Sequence, residues 1–305
     1  MTLASAARAR CLGAFREACR YDVLAFKPGN VSLRSPGHGM EAADFLRSAA
    51  AAAPRLLGPE GRVGLDVLRA VRATQGAVGC NTNLGILLLA APLLRAAASL
   101  FETGAAPVSV PKLRAALRRT LANTSREDSA DVFAAIRLAR PAGLGSAPAE
   151  DVRGTPQLPL RDVMGLAAHR DRIAAQYLTV YRDVFTLGLP NLEKTLAAGA
   201  SLEDAVTDCY LTLLSRRIDS HVLRKWGRGA AVRVRAEAVA VTAALKACEN
   251  RRDRKALLSK LDKVLKRESF NPGTSADLTV ASLLAFLLLR GCELLPPVTQ
   301  TKNSE

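Results

Sequence analysis

The chain has 305 residues, of which 49% are hydrophobic, 23% charged and 4% aromatic. This composition excludes a disordered or collagen-like protein and supplies enough apolar side chains for a sizeable core. The net charge of +15 favours anionic partners such as nucleotides, nucleic acid or a membrane surface. The basic residues are scattered through apolar segments without interleaved aromatics, which argues against nucleic acid.

Apolar residues recur every three or four positions through most of the chain, which indicates amphipathic helices. We predict an all-α fold with almost no β-structure: a single compact multi-helix domain over residues 1–295, followed by a disordered tail over 296–305. The predicted helices span residues 3–25, 41–52, 62–74, 84–101, 111–122, 129–140, 160–187, 191–199, 202–217, 229–249, 252–268 and 275–291.

Cysteine and hydropathy patterns narrow the class of protein further. The six cysteines form no CxxC pair and the three histidines are scattered, so we expect reduced thiols and no zinc site. The longest apolar run, residues 278–289, is too short to span a bilayer. We therefore expect a cytoplasmic protein without a membrane segment, and we leave a homodimer open.

Residues 141–160 behave differently from the rest of the chain. Pro or Gly stands at seven positions there, which excludes a continuous helix. A long loop inside a compact domain is usually functional or a linker. The similar helical patterning on both sides favours a functional loop.

The first polar segment, residues 27–32, reads KPGNVS and is followed by His38. Its proline ends the preceding helix and its glycine relieves the backbone, so Lys27 and Asn30 project from a fixed turn. A simple helix terminator explains Pro and Gly equally well.

The second segment, residues 79–85, reads GCNTNLG and leads directly into an apolar helix. Asn81, Thr82 or Asn83 can cap that helix, and the free amides of its first turn form a cradle for an anion. Capping needs only one such residue, so three of them between two glycines favour a binding role.

The third segment, residues 218–227, reads IDSHVLRKWG. Asp219 is suited to magnesium or a ribose hydroxyl, and Arg224 and Lys225 are suited to a polyphosphate. The alternative is a surface cluster of ion pairs in which His221 is structural.

The fourth segment, residues 271–278, reads NPGTSADL and opens the last predicted helix. Ser275 can cap this helix, and the helix dipole favours the charge of Asp277 in the first turn. Asp277 also lies near the mouth of the loop, where it could hold a metal bound to a phosphate chain.

In this order along the chain, the four segments resemble those of the triphosphoribosyl-dephospho-coenzyme A synthases. That family shows a KPG-V turn followed by a His, then G-NT--G, then D-[ST] with a nearby Arg, then PG-SADL. The resemblance spans nearly the whole chain. It implies an all-helical enzyme that joins the ribose of ATP to a hydroxyl of dephospho-CoA and releases adenine.

The resemblance also implies roles for the candidate residues. Glycosyl transfer develops positive charge at the anomeric carbon and needs a base for the acceptor hydroxyl, so we assign Asp219 and His221 as catalytic residues. Asp277 and Asp219 would hold Mg²⁺ on the triphosphate. The candidates for nucleotide and phosphate binding are Lys27, Gly29, Asn30, His38, Asn81, Thr82, Asn83, Arg224, Lys225 and Ser275. We expect the four segments to meet in one basic cleft.

Two departures from the family pattern leave the acceptor open. Synthases that serve citrate lyase read NTHKG and DTN, whereas this chain has Asn83-Leu84 in the first motif and Ser220-His221 in the second. A related anionic acceptor therefore remains an alternative to dephospho-CoA. One alternative is a homologous nucleotide-dependent enzyme that makes a one-carbon carrier of the tetrahydromethanopterin or methanofuran type. Another is a non-catalytic helical protein that binds nucleotides or nucleic acid.

Overall fold

The computed structural model describes residues 2–104, 108–248 and 250–291. Within these ranges the chain forms thirteen α-helices and no strand, apart from isolated bridges at Ser32–Ser35 and Gly37–Met40, so the all-α prediction is confirmed. The tail predicted over 296–305 lies outside the described residues. The helices are α1 (Leu3–Leu24), α2 (Ala42–Ala52), α3 (Val63–Val78), α4 (Leu84–Glu102), α5 (Val110–Ala122), α6 (Arg126–Ala139), α7 (Leu160–Ala167), α8 (Arg172–Thr179), α9 (Leu189–Ala197), α10 (Leu202–Arg216), α11 (Ser220–Leu245), α12 (Arg251–Arg267) and α13 (Gly273–Arg290).

The two most apolar helices, α4 and α13, form the centre of the core, where they pack against each other and against α1. Both are long and apolar enough to cross a membrane by length and composition, but most of each helix is buried inside the protein. A smaller apolar cluster joins α10, α11 and α12 to Phe270. Core burial accounts for the hydropathy of both central helices.

A proline within α4 explains how α8 packs on the core. Pro92 lacks an N–H and leaves the carbonyl of Leu88 without its helical partner. The hydroxyl of Tyr177 donates to that carbonyl at 2.6 Å, and the hydroxyl of Tyr181 donates to the carbonyl of Leu89 at 2.8 Å. Both tyrosines are fully buried. These two bonds fix α8 and the turn that follows it against the middle of α4.

The prediction of one helix over 160–187 was wrong. The structure divides this range into α7, α8 and a π-turn at Val184–Gly188. The Asp171 carboxylate accepts two backbone N–H groups of the first turn of α8 and so begins a new helix. Helix α8 ends where Val180 and Tyr181 adopt positive φ angles of 51° and 55°.

The prediction that residues 218–227 interrupt the helices was also wrong. Helix α11 begins at Ser220, because the Asp219 carboxylate accepts the backbone N–H groups of its first turn. The helix is kinked at Gly227, whose φ of 82° is not helical. The kink separates a short first part, which carries His221, from the long remainder of the helix.

The long loop predicted before α7 is present. Residues 140–159, all of which the structure describes, form neither helix nor strand. The Nε atom of Arg126 donates to the carbonyl of Pro156, and the hydroxyl of Ser129 donates to that of Leu158, both at 2.7 Å. The far end of the loop is therefore held on α6.

Two glycines of α3 test this packing. A Cβ at Gly64 would lie 2.3 Å from the carbonyl oxygen of Asp128 on α6, whereas a Cβ at Gly76 meets nothing within 4 Å. We expect Gly64→Ala to lower the free energy of unfolding by about 1–3 kcal/mol because the backbones of α3 and α6 must separate. Gly76→Ala should raise it by about 0.5–1 kcal/mol, since alanine favours the helix. Urea denaturation of both variants measures this, and equal effects would contradict the described crossing.

Candidate active site

The four polar segments converge on one cleft of about 420 Å³, a size typical of small-molecule sites. The expectation that they share a cleft is therefore confirmed. The residues of these segments that line the cleft are Asn30, His38, Asn81, Thr82, Leu84, Gly85, His221, Arg224, Lys225, Asn271, Gly273, Thr274, Ala276 and Asp277.

The rest of the lining comes largely from the long loop, from residues 170–171 and from side chains of α1, α2, α4, α6, α7 and α8. The loop contributes most of residues 140–152, which agrees with a functional loop rather than a linker. Apolar side chains come from α4, α6 and α7. The expectation of a basic cleft was wrong, because the charged lining residues are four cations and five acids: Arg140, Arg170, Arg224 and Lys225 against Asp22, Glu150, Asp151, Asp171 and Asp277.

Asp219 lies behind the cleft wall rather than in it. Its side chain is 2% exposed. Oδ1 accepts from the backbone N–H groups of His221 and Val222 at 2.9 and 3.0 Å. Oδ2 accepts from the backbone N–H and the hydroxyl of Ser275, both at 2.8 Å. Four donors occupy both oxygens, so the geometry does not support the catalytic and metal-binding roles expected of Asp219. It caps α11 and ties α11 to α13.

Lys27 also fails to reach the cleft. Its side chain is fully buried, and its Nζ lies 2.9 Å from a carboxylate oxygen of Asp22. The ammonium also donates to the backbone carbonyl of Asp22. Lys27 therefore neutralises a buried acid instead of binding phosphate, and Asp22 lines the cleft in its place.

Two further candidates, Gly29 and Ser275, contribute to the packing of the fold instead of facing the cleft. The N–H of Gly29 donates to Asp262 on α12 at 2.8 Å, and a Cβ at Gly29 would lie 2.8 Å from Leu265. The hydroxyl of Ser275 is committed to Asp219. Neither Gly29 nor Ser275 lines the cleft, so their predicted role in phosphate binding has no geometric support.

Two of the three polar candidates in the second segment line the cleft, and the third is buried in the protein interior. Asn81 lines the cleft, and its Oδ1 accepts the N–H of Leu84 at 3.1 Å, as expected of a cap. Thr82 also lines it and donates to the hydroxyl of Ser48 at 2.6 Å. Asn83 is buried away from the cleft, where its Oδ1 accepts from Thr74 at 3.1 Å. Only Asn81 and Thr82 are placed to meet a ligand.

The first and fourth segments meet directly through Asn30. Its amide nitrogen donates to Oδ1 of Asn271 at 2.8 Å. Its own Oδ1 is buried and has no hydrogen-bond partner among the described residues. Buried polar atoms are normally satisfied, so this oxygen is placed to accept a bond from a ligand. His38 stands close by, with Nε2 donating to the carbonyl of Gly29 at 2.9 Å.

The imidazole of His221 lies against the backbone of Gly273. A Cβ at Gly273 would be 2.5 Å from Nδ1, so glycine makes room for the ring. Burial, together with the positive charges of Arg224, Lys225 and His38, lowers the pKa of His221 to about 4. The ring makes no hydrogen bond to the described residues. His221 is therefore neutral at physiological pH and able to accept a proton.

Asp277 is the acid of the fourth segment that the cleft presents. It makes no hydrogen bond to the described residues, and a Cβ at Gly85 would lie 2.1 Å from its Oδ2. The glycine of the second motif thus makes room for the carboxylate. Burial and the nearby charges of Asp22, Asp219 and Asp171 raise the pKa of Asp277 well above its usual value. A cation that bound beside these carboxylates would be stabilised by them.

Six charged residues of the cleft lie outside the four motifs: Asp22, Arg140, Glu150, Asp151, Arg170 and Asp171. Asp22 has a partial signal, because it is an acid in an apolar stretch and stands five residues before the lysine that neutralises it. Arg140 and Arg170 cannot be told apart by sequence from the other basic residues.

The acids of the cleft do not form a complete metal cage. No group of three or more His, Cys, Asp or Glu side chains suited to a metal occurs in the described ranges. Mg²⁺ usually takes only one or two protein carboxylates, with substrate phosphates and water as its other ligands. Asp277 lines the cleft without a partner among the described residues and fits such a partial site by its chemistry, whereas Asp22 is already paired with Lys27.

A helical fold with cations, a neutral imidazole and an acid without a partner around one cleft defines an enzyme that acts on anionic small molecules. The sequence model of the family ATP:dephospho-CoA triphosphoribosyl transferase matches residues 8–294, and the chain belongs to this family. It is therefore a transferase, and the resemblance drawn from the four motifs is confirmed.

One solved structure illustrates the likeness. It is a crystal structure of a protein from Archaeoglobus fulgidus, provisionally named as a triphosphoribosyl-dephospho-CoA synthase. It matches with a TM-score of 0.60 and 28% sequence identity, over 81% of this chain and 98% of that one. No curated protein gives a significant match.

Replacing Asp219 separates its structural contacts from a direct catalytic role. We expect Asp219→Asn to lower the free energy of unfolding by about 1.5–3 kcal/mol, because an amide nitrogen would face donors that now bond to a charged oxygen. The control is Asp162→Asn, an exposed carboxylate of α7 outside the cleft, which should change stability by less than about 0.5 kcal/mol. Urea denaturation measures both. Wild-type stability combined with lost adenine release would instead return Asp219 to a catalytic role.

Proposed function

We propose that the cleft binds ATP and dephospho-CoA and transfers the triphosphoribosyl group of ATP to a ribose hydroxyl of dephospho-CoA. The bond between C1′ and the adenine nitrogen breaks, and a bond forms between C1′ and the acceptor oxygen. The acceptor hydroxyl loses its proton, and adenine leaves after taking up one. The observation that carries this proposal is the convergence of four family motifs on one cleft that contains a neutral histidine and Asp277, an acid without a partner among the described residues.

His221 is the group that we propose as the base. A base must be unprotonated at the working pH and able to reach the acceptor hydroxyl. The lowered pKa of His221 meets the first condition, and its position on the cleft wall, free of hydrogen bonds to the described residues, supports the second. His38 and the motif amides are proposed to orient the nucleotide.

The carboxylates of the cleft supply the negative potential that the reaction needs. Positive charge develops at C1′ as adenine departs, and fixed negative charge in a site of low dielectric stabilises it. Asp277 is proposed for this role in place of Asp219, because Asp22 and Asp171, which also line the cleft, are paired with Lys27 and Arg224. When bound, Mg²⁺ would neutralise the phosphates, and Asp277 would hold it.

Membership of this family does not favour the other two functions considered from the sequence, the one-carbon carrier enzyme and the non-catalytic binder. We propose a cytoplasmic location, because ATP and coenzyme A precursors are found there.

Removing the charge of Asp277 tests the proposed magnesium site. We expect Asp277→Asn to weaken binding of MgATP at least tenfold, because a neutral amide is a poor ligand for a hard cation. The melting temperature should stay unchanged or rise, since the variant removes a desolvated acid that has no partner. Calorimetric titration of MgATP measures the affinity, with Asp162→Asn as the matched control. Unchanged affinity would remove Asp277 from the site.

The pH dependence tests His221 as the base. Because its folded-state pKa is about 4, kcat/KM should stay level as the pH falls through 6.5 and decline only toward pH 4, where the ring becomes protonated. His221→Gln should lower kcat by about 10²–10⁴ with little change in KM. The control, His169→Gln, removes an exposed histidine outside the cleft. Adenine release measures these rates, and a loss of kcat/KM centred near pH 6.5 would contradict the proposal.

A further inference from the structure

Two arginines outside the four motifs line the cleft with uncommitted charges. Neither Arg140 nor Arg170 makes a side-chain hydrogen bond or ion pair within the described ranges, and both are exposed. The other two cations of the cleft are engaged. Arg224 contacts an acid and a carbonyl, and the ammonium of Lys225 lies 5.3 Å from the centre of the Trp226 ring.

The contacts of Arg224 bring the two free arginines to the same side of the cleft. Its Nε donates to the carbonyl of Ala142 at 3.1 Å, and one terminal nitrogen donates to Asp171 at 3.2 Å. Ala142 stands two residues after Arg140, and Asp171 directly follows Arg170. Because one guanidinium touches both segments, the backbones that carry the two arginines are neighbours.

The loop backbone is pressed closely onto α11 at this point. Gly143 has a φ of 70°, and a Cβ there would lie 2.9 Å from the carbonyl oxygen of Arg224. Only glycine fits both the close approach and the left-handed backbone. The segment that begins at Arg140 is therefore held in place before any ligand binds.

The backbone of Arg140 has a conformation that favours glycine. It ends α6 with φ 47° and ψ 55°, in the left-handed region. Glycine is the usual residue at such a helix end, and a residue with a Cβ costs stability there. An arginine kept at a strained position beside a cleft points to a use for its side chain.

Apolar residues stand near both arginines in the sequence. Ile136 and Leu144 stand four residues to either side of Arg140, and Leu166 and Ile173 flank Arg170 along the chain. All four line the cleft. This part of the cleft therefore combines two free cations with apolar side chains, and Ile173 extends it to Asp277, because a Cβ at Gly85 would lie 2.7 Å from Ile173 and 2.1 Å from Asp277.

We propose that Arg140 and Arg170 form a subsite for the diphosphate of the acceptor, with the adjoining apolar side chains taking its uncharged arm. This inference rests on the proposed function. The triphosphate of ATP is assigned to the motif side, where Asp277 offers a ligand for its magnesium ion. The acceptor is the substrate in which a diphosphate joins a long uncharged chain, and the planar fork of arginine suits phosphate oxygens.

Binding measurements on the full chain test the subsite. We expect Arg140→Gln and Arg170→Gln each to weaken binding of dephospho-CoA about tenfold, while the affinity for MgATP changes less than about twofold. Pantetheine, which carries the arm but no phosphate, should bind all variants equally. The control is Arg118→Gln, which removes an exposed arginine of α5 that makes no ion pair within the described ranges.

Arg140→Gly separates binding from folding. Glycine suits the left-handed end of α6, so this variant should melt at the same temperature as wild type or higher, yet bind dephospho-CoA about as weakly as Arg140→Gln. Equal affinity for dephospho-CoA in all variants, or an equal loss of MgATP affinity, would overturn the subsite while leaving the proposed function intact. A wild-type protein that binds neither nucleotide would overturn both.

Discussion

One buried carboxylate fixes the geometry of the cleft. Asp219 accepts hydrogen bonds from the starts of both α11 and α13, although Ser275 of α13 stands 56 residues after Asp219 in the chain. A buried charge is stable only when donors satisfy it, so neither helix start can shift without exposing an unpaired group. The hydroxyls of Ser220 and Thr274, 3.0 Å apart, reinforce the same junction. The positions of His221 and Asp277 both follow from it.

Hydrophobic periodicity predicted most of the helices because it reports which face each helix buries. It failed over residues 160–187, where the apolar stripe gives no sign of the break after α8. The break depends on a distant residue. Pro92 leaves a carbonyl unpaired in α4, and Tyr177 and Tyr181 satisfy it and its neighbour. Sequence shows that such a carbonyl needs a donor, but only tertiary packing decides which side chain supplies it.

The motifs predicted which segments form the site better than they predicted which side chains face it. A polar residue in a motif indicates that its group needs a partner, and the partner can be the protein itself. Lys27 pairs with Asp22, and Ser275 with Asp219, so both are committed to the fold. Arg140 and Arg170 are the opposite case, because they line the cleft although no motif contains them. Nothing in the sequence distinguishes them from the other members of a set of 43 Lys and Arg residues.

The arrangement of charge within the cleft favours one orientation of its substrates. Arg140, Arg170 and Lys225 are exposed, whereas Asp22 is 3% exposed and Asp277 is only partly accessible. Three of the four cations therefore lie at the rim and these two acids toward the floor, whereas Arg224 and Asp171 lie between them with similar exposure. The net charge of +15 draws polyphosphates to the surface, and the acidic floor repels phosphates that enter without a metal ion. Phosphates without a metal ion are favoured at the rim, whereas the magnesium-bound triphosphate and the ribose attached to it are expected toward the floor, beside Asp277. The carbon that gains positive charge during transfer is then nearest to the carboxylates, where that charge is most stabilised.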